Sequence, residues 1–276
     1  PSSCPGPALG RRCELRPADF RKRAPAWHPR RMIGSSLTPA HRDRLLDAGV
    51  PAEILDGLVL REVGDQLPER FAAEGNAFYL AEGLAMPPRI PGRLMTYPFS
   101  NALVVLASRL DSLSLLMGGE GATVFVGPDS ELTAGEIYCG GGSSVILHGQ
   151  VVATGEAQLD ARNGGSIVAE RDQLWAARVY IATDDMHSLV DLATGVRFNP
   201  YGGRIRIGRH VWLGREAIVT GHVEIGESAV VGMRSLVRGQ KVPANTAVAG
   251  TPARIIRENI TWLGDDVRPL PDQPTT

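Results

Sequence analysis

Between Ile207 and Val237 the chain places an aliphatic residue at every sixth position: Ile207, Leu213, Val219, Ile225, Val231 and Val237. Glycine follows directly at Gly208, Gly214, Gly226 and Gly232. A small or β-branched residue often stands four positions after the aliphatic one, as at Val211, Ala217, Val223, Ala229 and Ser235. A helix repeats at about 3.6 residues and a half-buried strand at about two, so neither keeps this period. Fixed self-similarity of this length is the mark of a parallel β-helix. Each hexad is then one short strand plus a bend, and three hexads close one turn of a triangular prism. Turns stack at about 4.8 Å. The spacing predicts Ile207 stacked on Ile225 and Leu213 on Val231, with the stack supplying a core that one turn cannot bury alone. Glycine and other small residues are expected to allow the bends.

Upstream the rhythm is looser. Short apolar segments at Thr123–Val126, Ser144–Leu147, Gly165–Ala169 and Arg178–Ala182 alternate with turns, and glycine is dense from 118 to 165. Many short strands at close spacing are an all-β signal. Before Gly118 the pattern is mixed. Thr38 caps a helix that has Pro39 in its first turn, and Leu45, Leu46, Ile54, Leu55 and Leu58 supply the apolar positions of two short helices split near Gly49–Pro51. Apolar runs follow at Phe78–Leu80, Leu103–Leu106 and Leu113–Met117. The expected layout is a mixed helix and strand region over 32–117, a mainly β solenoid over 118–256 with an excursion at 184–204, and a short C-terminal helix and tail over 257–276.

Residues 1–31 stand apart, rich in Pro and Arg, with eight Lys/Arg against two Asp/Glu. They read as a disordered basic arm, or as residues preceding a native start at Met32. The whole chain carries a formal net charge of −1, so no nucleic-acid partner is expected. The best apolar run, 101–117, is broken by Arg109 and Asp111, so no integral membrane segment is expected, and no secretory signal is visible. Cys4, Cys13 and Cys139 have no paired spacing, which suits a reducing, cytoplasmic setting. Neither a P-loop nor a dinucleotide-binding glycine motif occurs.

Two stretches carry a family resemblance. The segment Ser228 to Arg257 reads SAVVGMRSLVRGQKVPANTAVAGTPARIIR. It resembles the C-terminal signature of the hexapeptide-repeat acyltransferases, the left-handed β-helix enzymes, with two departures: one extra residue in the Arg238–Lys241 loop and Met233 in place of a small residue. The second stretch runs from Asp185-Met186-His187-Ser188-Leu189-Val190-Asp191 through Thr194-Gly195, Arg197 and Asn199-Pro200 to Ile207-Gly208 and His210-Val211-Trp212-Leu213-Gly214. It is similar to the sugar O-acetyltransferases that modify capsular and lipopolysaccharide glycans.

The resemblance implies an acetyl-CoA-dependent O-acetyltransferase, active as a homotrimer with sites between subunits, acting on a sugar or glycan acceptor. It implies that His187 is the catalytic base and that Trp212 lies beside the active site. It also implies that the pantetheine arm of coenzyme A passes Gly214 and Gly232–Met233. The chemistry agrees: transfer from a thioester to a hydroxyl needs a base near neutral pH and no protein nucleophile. Asp185 and Asp191 flank His187 and either orient its imidazole or cap turns. Arg238, Lys241, Arg254 and Arg257 gather where the solenoid ends and suit the phosphates of coenzyme A; Arg254 and Arg257 fit equally a solvated helix face. Trp212 is either a wall for the acyl group or sugar, or packing for a neighbouring subunit. His210 lines the acceptor site or an outer face, His148 is structural, and Cys139 is not a nucleophile.

No metal is expected. The zinc enzymes that share this fold resemble it in architecture but use a close histidine pair, and His187, His210 and His222 do not offer that spacing. Two alternatives stay open: an N-acyltransferase acting on an amino sugar or antibiotic, and a non-enzymatic scaffold.

Overall fold

A computed structural model describes residues 37–265; the basic arm therefore lies outside the described residues. The described chain is a β-solenoid of about seven turns with few helices. Three stacks of strands form its faces. The first contains Ala77–Ala81, Leu103–Leu106, Thr123–Val126, Ser144–Leu147, Ser166–Ala169, Arg204–Ile207, Val223–Ile225 and Lys241–Val242, all parallel. The second holds Gln173–Trp175, Trp212–Leu213, Val230–Val231 and Thr246–Ala249. The third holds Leu113–Met117, Val179–Ala182, Ile218–Thr220 and Leu236–Arg238. The long strands Glu131–Cys139 and Val151–Ala161 run through both the second and third faces.

The late turns follow the hexad register. Ile207 pairs with Ile225, Leu213 with Val231, and Val219 with Val237, and these side chains are buried. Gly221 and Gly239 take the left-handed conformation at bends, as expected, but other residue types share the role. His210, Glu216, Ser228, Arg234 and Asn245, none of them glycine, take the left-handed conformation at the corners. The glycines after the aliphatic positions answer to close approach instead. A Cβ on Gly226 would lie 2.4 Å from the Ala244 nitrogen in the next turn, a contact that only glycine avoids.

The solenoid also begins earlier than Gly118, with Ala77–Ala81 already parallel to Leu103–Leu106. Its early turns are longer than three hexads: Val124 pairs with Val145, and Val145 with Ile167. The first face is buried on both sides there, so its strands are continuous apolar runs without a hexad rhythm. The outer cover is the pair of helices expected near Thr38, at Pro39–Asp47 and Ala52–Asp56. Thr38 Oγ1 accepts from the His41 amide at 3.2 Å. Leu45, Val50, Ile54 and Leu55 pack on Tyr79, Leu103, Val105, Phe125 and Ile146. Arg44 fastens the cover by donating to Thr123 Oγ1 and to the carbonyls of Asn101 and Ala122.

The C-terminal helix does not form in the described residues. Arg254–Glu258 is a strand antiparallel to Thr246–Ala249. The exposed edge of the last turn offers unpaired backbone groups, and the chain turns back to satisfy them. Residues 259–265 then continue without regular structure.

Candidate active site

One corner of the prism breaks the stack. Between Val179–Ala182 and Arg204–Ile207 the chain leaves the corner of the third and first faces and returns after residue 203. The turn that joins Ile167 to its partner Ile205 is therefore the longest of the first face. A loop of this length needs internal supports, and polar side chains at its base provide them. The Asp184 carboxylate is fully buried and accepts from the Thr183 hydroxyl at 2.9 Å and the Gly202 amide at 3.0 Å. Arg197 lies 3.8 Å from it, donates to Ser188 Oγ at 2.9 Å and to the carbonyls of Asn199 and Pro200, and stacks over Tyr201. Asn199 is buried; it accepts from the Leu189 amide and donates to the His187 carbonyl at 2.8 Å.

These bonds fix the backbone of His187 while leaving its imidazole exposed and without a hydrogen-bond partner among the described residues. Asp185 Oδ2 receives Arg238 at 3.2 Å and Asn199 Nδ2 at 3.4 Å. Asp191 serves the far end of the loop. Its Oδ1 accepts from the amides of Ala193 and Thr194 and from the Thr194 hydroxyl. Those bonds, the Thr194 amide foremost, hold its carboxyl below the usual range. It caps that turn, and no hydrogen bond links it to the His187 ring. Apolar side chains dress the outside of the loop: Leu189, Val190, Val196 and Phe198 are exposed, and Leu192 is 100% exposed.

The other expected residues lie on the later turns. Trp212 projects from the second face, 39% exposed. A close partner was not foreseen from sequence: Trp262, folded back from the C-terminal segment, lies 6.5 Å from it. Trp262 stacks on His210 at 4.2 Å with the ring planes nearly parallel, and donates from Nε1 to the His210 carbonyl. The ring nitrogens of His210 face Asp172 Oδ2 at 2.8 Å and the Trp262 carbonyl at 3.1 Å. His210 thus anchors the C-terminal segment. Gly214 packs on the next turn, where a Cβ would come 2.7 Å from the Met233 nitrogen. Gly232 follows in that turn, and Met233 is 66% exposed.

Arg238 faces the excursion through Asp185, Lys241 pairs with Glu224 at 3.0 Å, and Arg254 and Arg257 share the exposed final strand. Among the described residues no group of three or more His, Cys, Asp or Glu gathers in metal-binding geometry. Cys139 is fully buried, and burial pushes its thiol up to about 12. His148 Nε2 contacts the Gly49 carbonyl at 2.7 Å, a structural tie between solenoid and cover. Asp184, Trp262 and Asp172 went unnoticed in the sequence. The doubled aspartate after a strand was the available signal for the first; the other two carry none.

No family profile matches this chain. It is 37% identical over 101 residues to an Escherichia coli K12 protein described as a lipopolysaccharide biosynthesis O-acetyl transferase, covering 34% of this chain and 50% of that one. It is 31% identical over 155 residues to the polysialic acid O-acetyltransferase of Neisseria meningitidis, covering 56% of this chain and 71% of that one. The chain thus spans half the length of the first relative. Among solved structures, the polysialic-acid-specific acetyltransferase NeuO superposes with a TM-score of 0.56 at 26% identity, covering 62% of this chain and 79% of that one. The chain belongs to the hexapeptide-repeat family of O-acetyltransferases.

Proposed function

We propose that this protein is an acetyl-CoA-dependent O-acetyltransferase that acetylates a sugar hydroxyl. The observation that carries the reading is the exposed, unpartnered imidazole of His187 on a loop whose backbone is fixed by Asn199, Asp184 and Arg197. In this reading His187 removes the acceptor's hydroxyl proton as the oxygen attacks the thioester carbonyl. The carbon–sulfur bond breaks, and coenzyme A leaves as the thiol after taking up a proton. Asp185 positions the start of the loop through Arg238 and Asn199, and Asp191 shapes its tip.

The surface of the late turns supports an acyl-CoA donor. Gly214 and Gly232 let those turns stack closely beside exposed Met233, and Arg254 and Arg257 stand free of the core for phosphates. Trp212 then walls the acyl or sugar side of the site. The hexad signature supports a left-handed winding. The apolar exterior of the 183–203 loop supports a homotrimer in which the loop reaches a neighbouring subunit. Use of acetyl-CoA supports a cytoplasmic reaction.

The test is release of free thiol from acetyl-CoA in the presence of a glycan panel. Acceptor-dependent release with an alkali-labile acetyl product supports the reading. Release only with amines, or none, rejects it. Light scattering that finds an active monomer rejects the trimer.

A further inference from the structure

The corner that carries the excursion also carries a row of side chains in the preceding turns. Outward positions on the third face stand in register, with Tyr138 beside Asp160 and Ala182, and Glu136 beside Gln158 and Tyr180. Arg162 holds both oxygens of Asp160, at 2.6 and 2.9 Å, and its guanidinium lies 3.9 Å over the Tyr138 ring. Tyr138 meets Tyr97 edge to face at 6.0 Å. At the other end, Tyr180 stands beside Gln158 on Val179–Ala182, the strand from which the excursion departs.

Beyond Tyr97 the row opens into a cavity of about 520 Å³ lined by Arg70, Glu74, Met95, Tyr97, Phe99 and Glu120, with Tyr97 half exposed. Phe99 pairs with Gly119, Gly119 packs on Gly141, the Gly141 carbonyl binds Gly164, and Gly202 packs on Asn163. Those four steps, at about 4.8 Å each, put the Phe99 side of the cavity about 19 Å along the prism from the excursion, and its Glu120 side one step nearer. That distance is several monosaccharides long.

The charges along this path are already matched within the chain. Arg93 pairs with Glu136 at 3.0 Å and Arg162 with Asp160, and Arg70, the cation of the cavity lining, shares it with Glu74 and Glu120. A polyanion is attracted by uncompensated cations, which the path does not supply. A neutral sugar chain needs aromatic surfaces for its C–H faces and fixed donors and acceptors for its hydroxyls, which the path does supply.

We propose that the Tyr97 cavity and the Tyr138–Arg162–Asp160–Tyr180 row are subsites for an extended, uncharged glycan whose reacting sugar sits at the His187 loop. The proposal rests on the acetyltransferase reading for the acceptor class and adds the acceptor's form: a polymer or long oligosaccharide held at a distance from the reacting hydroxyl.

The experiment separates binding from turnover. Full-length His187→Ala protein is applied to an array of neutral oligosaccharides of graded length and to polysialic acid, at about 50 and about 300 mM salt. The expected result is retention of neutral tetrasaccharides and longer, about tenfold tighter than the matching disaccharides, with little salt effect. Tyr97→Ala brings the long chains down to the disaccharide level and Tyr97→Phe keeps them. Glu120→Gln on the cavity rim gives a second readout should Tyr97→Ala fail to fold. Retention of no glycan, no length dependence, indifference to both cavity variants, or a salt-sensitive preference for polysialic acid overturns the proposal. Thiol release by the unsubstituted protein is measured beside it. Glycan retention without thiol release sinks the transferase reading alone, and thiol release without length-dependent retention sinks the subsites alone.

Discussion

Arg238 reaches across 53 positions of chain to place a guanidinium nitrogen 3.2 Å from the Asp185 carboxylate. The contact joins the last strand of the third face to the first residues of the loop that presents His187. The late turns and the His187 loop are therefore mechanically connected at one ion pair.

The pair is half exposed, so Asp185→Asn should cost less than about 1 kcal/mol of stability while lowering acetyl transfer. Asp184 is its contrast. It is buried, and Asp184→Ala strands the Gly202 amide, the Thr183 hydroxyl and Arg197. The expected cost is about 2–4 kcal/mol, with new proteolytic cleavage inside 183–203. Urea melts in which the two variants cost the same would show that the loop is not held from Asp184.

Replacing His187 by alanine should lower transfer by roughly 10²–10⁴-fold, with acetyl-CoA binding retained by calorimetry. A rate within a few-fold of the unsubstituted protein would remove His187 from the chemistry.

Close stacking of the late turns leaves no room for a side chain at Gly208, Gly214 and Gly226. Gly226→Ala should destabilise by about 1–3 kcal/mol through the clash with Ala244. Gly92→Ala, in the short helix Ile90–Leu94 with open space around it, should instead stabilise by up to about 1 kcal/mol. Thermal melts that fail to separate the two would contradict the packing.

The two-helix cover should loosen in acid. His41 Nδ1 meets the Tyr79 hydroxyl at 2.8 Å and His148 meets Gly49, and burial lowers both imidazoles from 6.5. The fold favours the neutral rings, so their contribution is complete above 6.5 and is lost as pH falls through the lowered folded values. Hydrogen exchange over 39–56 should accelerate relative to the solenoid between about pH 7 and about pH 5, and His148→Gln should blunt the change. An unchanged ratio would argue against the tether.

Cys139 works in the opposite direction. Its thiol rises from 9.0 to about 12 in the fold, so the stability it contributes is present below 9.0 and is lost as pH climbs toward 12. The difference in urea midpoint between the unsubstituted protein and Cys139→Ala should therefore shrink across that window. Native protein should also resist alkylation at neutral pH, and rapid labelling of the folded chain would contradict the burial.

The periodic part of this protein was legible because its physics is local and repeated. Each late hexad buries one aliphatic side chain, and four of the six from Ile207 to Val237 lay a glycine against the next turn, so Ile207 over Ile225 and Leu213 over Val231 follow from counting. Thr38 and Pro39 marked a helix start for an equally local reason, and His187 was marked by its motif. The tertiary structure decided the rest. The turns before Ser166 are longer than three hexads and bury the first face on both sides, which erases the rhythm and hid the solenoid's true beginning. The end of the stack exposes backbone that Arg254–Glu258 pairs with as a strand, overriding a helical expectation. Asp184, Asn199 and Arg238 support the His187 loop, and Trp262 covers His210, through partners that meet only once the turns are stacked. A spacing rule sees neighbours along the chain, whereas these contacts depend on which turn lies against which, and folding alone determines that.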